Sequence, residues 1–135
     1  MDAIRIEGLT KTYKDTTAVD NLCLTVRSGE LFSLLGVNGA GKTTTIKMLS
    51  CITSADSGDA FLNGNSIKTE ANKVKSIIAV SPQETAVAPN LTVKENIQVC
   101  EYLTKQPLDI DELMETLGLT EHQNKFPSQL SGGQQ

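Results

Sequence analysis

Gly36-Val37-Asn38-Gly39-Ala40-Gly41-Lys42-Thr43 is the stretch that decides the reading of this chain. Its spacing is G-x-x-x-x-G-K-[ST]. Upstream, Glu30-Leu31-Phe32-Ser33-Leu34-Leu35 is a short apolar run suited to a buried parallel strand, and downstream Lys42 to Ile52 carries apolar residues at helical spacing. Strand, glycine loop and helix in that order are the context in which the pattern acts as a phosphate-binding loop.

The residue types fit that chemistry. A triphosphate concentrates several negative charges that are best met by many backbone N–H donors at close range. Glycines at 36, 39 and 41 permit left-handed dihedrals and a main chain unobstructed by Cβ atoms. Lys42 supplies a cation for the terminal phosphates, Thr43 offers a hydroxyl to Mg²⁺, and the helix that follows directs the positive end of its dipole at the anion. The competing explanation is a glycine-rich turn that caps a helix and binds nothing; the strand and helix flanks favour the phosphate-binding loop.

The remaining composition narrows the class. A chain of 135 residues is at most one domain and long enough to bury a core. Sixteen acidic against twelve basic residues give a net charge of -4, which offers no general electrostatic footprint for nucleic acid or an anionic membrane. Met1-Asp2-Ala3 opens straight into a strand-like stretch, so no secretory signal is expected, and no apolar run approaches the length of a membrane span. Cys23, Cys51 and Cys100 are widely separated and suit buried thiols in a reducing cytosol rather than a metal site. His122 stands alone and is assigned no role.

Along the chain, alternation at Ile4 and Ile6, then at Leu22, Leu24 and Val26, predicts two half-buried antiparallel strands joined through residues 8 to 18. Asp59-Ala60-Phe61-Leu62 followed by Asn63-Gly64 predicts a strand ending in a hairpin. Ser76-Ile77-Ile78-Ala79-Val80 reads as another buried strand, stopped by Pro82 with Gln83 just past its carboxyl end, where ligands bind in open α/β sheets. Thr92-Val93-Lys94-Glu95 is a capping box, opening a helix whose stripe is Val93, Ile97, Cys100 and Leu103. A second helix begins at Asp109 and Glu112, carries Ile110, Leu113, Met114 and Leu117 on one face and stops at Gly118. Residues 92 to 125 thus form a helical insertion.

The chain closes on Leu130-Ser131-Gly132-Gly133-Gln134-Gln135. Together with the glycine loop, this resembles the ATP-binding subunit of the ABC transporter family, truncated just after its signature motif. Leu9 to Tyr13 resembles the family's N-terminal segment, Gly36 to Thr44 its Walker A loop, Gln83 its Q-loop and Leu130 to Gln134 its signature. Among family members the loop and the helix after it look most similar to separate ATPase subunits of drug or polysaccharide exporters. The resemblance implies an α/β fold with a P-loop NTPase core, a mostly parallel sheet with flanking helices, an N-terminal antiparallel β subdomain and a helical insertion, the sheet being incomplete. It implies one domain, with core and antiparallel subdomain over about 1–82 and the Q-loop and helical subdomain over about 83–135.

The same resemblance assigns residues and partners. ATP would be held by Gly36, Val37, Asn38, Gly39, Ala40, Gly41, Lys42, Thr43 and Thr44, with the Tyr13 ring stacked on adenine; a loop tyrosine packed on the sheet is the alternative for that ring. Mg²⁺ would be held by Thr43 and Gln83, the latter also orienting the attacking water. Ser131, Gly132, Gly133 and Gln134 would serve the ATP of a second ATP-binding subunit in a head-to-tail dimer. Glu84 to Leu91 would meet a transmembrane permease, holding the protein at the inner face of the cell membrane. The implied function is coupling of Mg·ATP binding and hydrolysis to export. The family's Mg²⁺-binding aspartate, catalytic glutamate and switch histidine have no counterpart in these residues, so positioning by Lys42 and Gln83 is expected to support binding far better than turnover. An unpaired sheet edge, exposed apolar surface and poor solubility are expected with it. A nucleotide- or subunit-binding fragment without turnover, and a soluble non-transport ABC ATPase, are the alternatives.

Overall fold

In a computed structural model, the structure describes residues 1–81, 87–104 and 107–133. The chain packs as two compact units, Met1–Val80 and Ser81–Gln135.

The first unit is built on a long hairpin of β1 (Asp2–Tyr13) and β2 (Thr16–Arg27), with β3 (Ser57–Leu62) and the two-residue β4 (Asn65–Ser66) added to the other side of β1. The sheet order is β2-β1-β3-β4 and every pairing is antiparallel. The two initial strands meet as expected, but the link is far shorter than residues 8 to 18: Tyr13 pairs with Thr16, leaving Lys14 and Asp15 as the turn, with Lys14 in the left-handed region.

The reason lies in a double bulge. Gly8 (φ 61°) and Asn21 (φ 45°) break the ladder on the two strands. Each bulge shifts the two-residue alternation by one position. The core face therefore passes from Ile4 and Ile6 to Leu9 on β1, and from Val19 to Leu22, Leu24 and Val26 on β2. In sequence this parity change looks like the end of a strand. A Cβ on Gly8 would meet Asn21 Oδ1 at 3.1 Å, so the two bulges sit against each other.

Asn63 and Gly64 both have positive φ and Leu62 pairs with Asn65, which makes the β3–β4 connection the two-residue hairpin that an Asn-Gly pair predicts. The buried cluster Ile6, Leu9, Val19, Met48, Ala60, Leu62, Ile67 and Val74 lies between this sheet and two helices, α1 (Lys42–Leu49) and α2 (Ala71–Ile77). α1 stops before Ile52 because Cys51 turns left-handed (φ 55°). Its amide and that of Ile52 return to Met48 O and Lys47 O, the Schellman closure of a helix.

Two expected strands are not strands. Residues 30–35 carry no regular structure, with Leu31 97% and Leu35 88% exposed, and residues 76–80 divide between the end of α2 and an extended stretch from Ile78. A parallel strand exists only through hydrogen bonds to flanking neighbours. Among the described residues no segment lies in register beside either run, so apolar composition alone leaves them unpaired.

In the second unit, α3 (Val93–Thr104) starts from the expected capping box: the Thr92 amide and hydroxyl donate to Glu95 Oε2 at 2.7 and 2.9 Å, and the Glu95 amide returns to Thr92 Oγ1 at 3.3 Å. Its stripe is only partly core-facing. Val93 is buried, whereas Leu103 and Cys100 are exposed; Cys100, like Cys23, is not the buried thiol expected. α4 (Ile110–Thr116) follows, capped by Asp109 accepting from the Glu112 amide, with Met114 buried and Gly118 in the left-handed region just past the end.

Candidate functional site

The glycine loop leaves the 30–35 segment and ends where α1 begins. Gly39 (φ 87°) and Gly41 (φ 81°) are left-handed, as the loop requires, while Gly36 is not. Gly36 is constrained by space instead, since a Cβ there would meet the Ala40 Cβ at 3.0 Å. Gly41 is constrained twice: its Cβ would lie 2.1 Å from the Ala18 carbonyl oxygen of β2. The loop is thereby wedged against the hairpin at its C-terminal end and open elsewhere, with residues 36–40 all exposed.

Its donors are largely uncommitted. The Ala40 amide donates to Val37 O at 3.1 Å and the Thr45 amide to Gly41 O at 2.8 Å. Among the described residues, the amides of Asn38, Gly39, Gly41, Lys42 and Thr43 have no such acceptor. These are the orphan donors that a helix N-terminus and a glycine loop present to an anion. The Lys42 ammonium folds back over the loop, donating to Gly36 O at 2.5 Å and Val37 O at 2.8 Å. Those two carbonyls hold the cation at the N-terminal end of the loop.

The hydroxyls divide in the same way. Thr45 Oγ1 is buried and donates to Gly41 O at 3.0 Å, which fixes the first turn of α1. Thr43 is exposed and its hydroxyl has no partner among the described residues. A Ser/Thr hydroxyl is one of the oxygens Mg²⁺ takes from a protein alongside phosphate oxygens and water. No group of three or more His, Cys, Asp or Glu gathers among the described residues into a metal cage of its own, so the donor set fits a phosphate-borne ion.

Tyr13 stands at the tip of the hairpin, 47% exposed. It follows Thr12, which pairs with Thr17, and the neighbouring Ala18 is the residue that touches Gly41. The hairpin tip and the glycine loop are therefore adjacent parts of one surface. The Lys11 ammonium lies over the Tyr13 ring at 5.5 Å from its centroid and donates to Asp56 Oδ1 at 2.7 Å. Asp56 Oδ2 accepts the Thr12 amide at 2.8 Å, and the Asp56 amide donates to Thr10 O at 2.9 Å. The Lys11 hydrogen bond, then that from Thr12, hold the Asp56 carboxyl below the usual carboxylate range. Sequence reasoning passed over both residues: Asp56 looks like a turn residue after α1, and nothing local links it to Lys11, 45 positions away.

Ser131, Gly132 and Gly133 are exposed, and neither glycine adopts a positive φ or has any atom within 4 Å of where a Cβ would be. Within this chain nothing demands glycine there. Gln134, the last of the four residues expected to serve a second subunit's ATP, lies outside the described residues, as does Gln83. Of the segment Glu84 to Leu91, residues 87–91 are described. They are tied down by Asn96, whose side chain accepts from the Ala88 amide at 2.8 Å and donates to Ala88 O and Leu91 O.

A glycine loop of P-loop spacing that opens α1, set beside an antiparallel sheet, places the chain among P-loop domains. Comparison with known proteins narrows the class. A family model described as ABC transporter matches residues 19–135. Human ATP-binding cassette sub-family A member 2 is 41% identical over 98% of the chain, which spans 6% of that relative's length. Nod factor export ATP-binding protein I of Ralstonia nicotianae is 44% identical over 71% of the chain, 30% of its own length being covered. A solved bacterial ABC transporter cassette, described as dimeric, is 26% identical with a TM-score of 0.79, over 97% of this chain and 64% of that one. An ATP-binding subunit of an ABC transporter superimposes with a TM-score of 0.83 at 21% identity, over 98% of this chain and 58% of that one, which speaks for the fold. The chain belongs to the ABC transporter family, in the part that forms its ATP-binding domain. Relatives of this kind hydrolyse ATP in general. No helix among the described residues is long and apolar enough to cross a membrane.

Proposed function

We propose that this chain binds Mg·ATP through the glycine loop and belongs to a protein that couples ATP hydrolysis to export by a membrane-embedded permease. The observation that carries the reading is the set of uncommitted amides at Asn38, Gly39, Gly41, Lys42 and Thr43, with the Lys42 ammonium held on the same loop by the Gly36 and Val37 carbonyls. Gly36 to Thr44 surround the phosphates, Thr43 gives its hydroxyl to Mg²⁺, and Tyr13 receives the adenine. Gln83 completes the metal shell and orients water. The two units form the core and helical parts of one ATP-binding domain.

Ser131, Gly132, Gly133 and Gln134 serve the ATP of a second, head-to-tail subunit. Two glycines that nothing in this chain requires are what a close approach from outside needs. Residues 84–91 meet the permease, with Asn96 holding the described part in shape, and the protein lies at the cytoplasmic face of the membrane. The 135 residues alone bind nucleotide without turning it over, because they hold no counterpart of the family's water-polarising glutamate.

The test is Lys42→Ala, read as nucleotide affinity by titration calorimetry. Loss of a charge-assisted contact to phosphate lowers affinity by about 10- to 100-fold. Unchanged affinity would remove the phosphate-loop assignment.

A further inference from the structure

We infer that Lys11 and Asp56 are positioning residues for the nucleotide base: they fix the Tyr13 ring and cover one of its faces, so that the base is received on the other. The inference rests on the stacking role proposed for Tyr13 and goes beyond it by naming what orients the ring. A tyrosine at a hairpin tip with two free χ angles loses rotamer entropy on stacking, and a ring already held loses less. One contact reaches the ring, and three hydrogen bonds hold that contact in place. Asp56 bonds the backbone of β1 on either side of Lys11, through Thr10 O and the Thr12 amide, and its other oxygen fixes the Lys11 ammonium. That ammonium lies over the ring. The Lys11 side chain is only 15% exposed although it ends in a charge, which marks it as packed in place rather than waving in solvent.

The arrangement has a directional consequence. A cation over one face of an aromatic ring occupies that face and polarises the π-system. A purine then has a single face on which to stack. Since Asp56 reaches Lys11 and Thr12 of β1 from the segment between α1 and β3, the base site and the phosphate loop are tied together through one helix: α1 begins at the loop and the chain leaving it supplies Asp56.

The experiment compares affinity for ATP with affinity for inorganic tripolyphosphate, which engages the loop and has no base. The ratio of the two isolates the base contribution from that of the loop. Tyr13→Ala is expected to lower the preference for ATP by about tenfold. Lys11→Met, which keeps the aliphatic stem and removes the charge, is expected to lower it by about two- to fivefold while tripolyphosphate affinity is unchanged. Asp56→Asn acts in the same direction, the double variant is no worse than the poorer single one because the two act as one unit, and Lys11→Arg retains the preference. If Lys11→Met and Asp56→Asn leave the ratio untouched while Tyr13→Ala lowers it, stacking stands and the positioning role is refuted. Equal losses for ATP and tripolyphosphate identify a general structural effect and also refute it. If Tyr13→Ala itself changes nothing, the stacking proposal fails and this one with it. Should Lys11→Met not fold, Asp56→Asn alone decides between these outcomes.

Discussion

Gly41→Ala separates the two demands placed on the glycine loop. At φ 81° the alanine meets the left-handed penalty, about 1–2 kcal/mol. Its Cβ would also stand 2.1 Å from Ala18 O and 3.1 Å from Val19 Cγ2, both on β2. The nearer atom is backbone inside a sheet, so relief requires the start of α1 and β2 to part by roughly an ångström, an overpacking cost of about 1–3 kcal/mol. The total, about 2–5 kcal/mol, is a large share of the net stability of a small domain, about 5–15 kcal/mol. Gly39→Ala is the matched control. Its φ is 87° but no atom lies within 4 Å of the added Cβ, so only the conformational penalty applies to folding. Urea denaturation followed by far-UV circular dichroism should show Gly41→Ala unfolding at distinctly lower denaturant than Gly39→Ala, with equal m-values. A midpoint for Gly41→Ala at or above that of Gly39→Ala would show that the loop is not wedged against β2 as described.

Other consequences are open to measurement. Thr92→Ala removes the capping box of α3, costing about 1 kcal/mol, and hydrogen exchange should accelerate in the first turn of that helix and not in α1. The carboxyls of Asp56, Glu70 and Glu95 are all held below their usual range, chiefly by Lys11, by Lys73 and by the Thr92 amide respectively. For a depressed carboxylate the stabilisation is present above its unfolded value, about 4, and is lost as pH falls through the folded one. The thermal midpoint should therefore fall on acidification below about pH 4, and Asp56→Asn should make that fall shallower; a midpoint flat to pH 3 would contradict the pairings. Leu35, 88% exposed, should tolerate Leu35→Lys within about 0.5 kcal/mol, and sedimentation velocity should show less self-association than for the parent chain. A clear loss of stability would mean the side chain is packed.

The glycine loop, the capping box and the Asn63-Gly64 hairpin were legible in the sequence for one reason. Each is a local device in which neighbouring residues satisfy one another: left-handed glycines ahead of a helix, Thr92 with Glu95, two positive-φ residues between strands. What the sequence could not show is whatever depends on a partner distant in the chain. Residues 30–35 and 76–80 have strand composition, yet a strand is made by its neighbours, and the described residues supply none. The hairpin of β1 and β2 ran longer than alternation suggested because the Gly8 and Asn21 bulges, set against each other, shift both strands' parity together. Around the site the division is the same. The phosphate role proposed for Lys42, Thr43 and the loop glycines is read from spacing alone, since their donors lie on one continuous turn of backbone. That Gly41 is wedged by Ala18, and that Asp56 reaches back to Lys11 beneath the Tyr13 ring, was decided only when the sheet brought those segments together. Hydrogen bonds and steric contacts act at a few ångströms in space, whatever the separation along the chain.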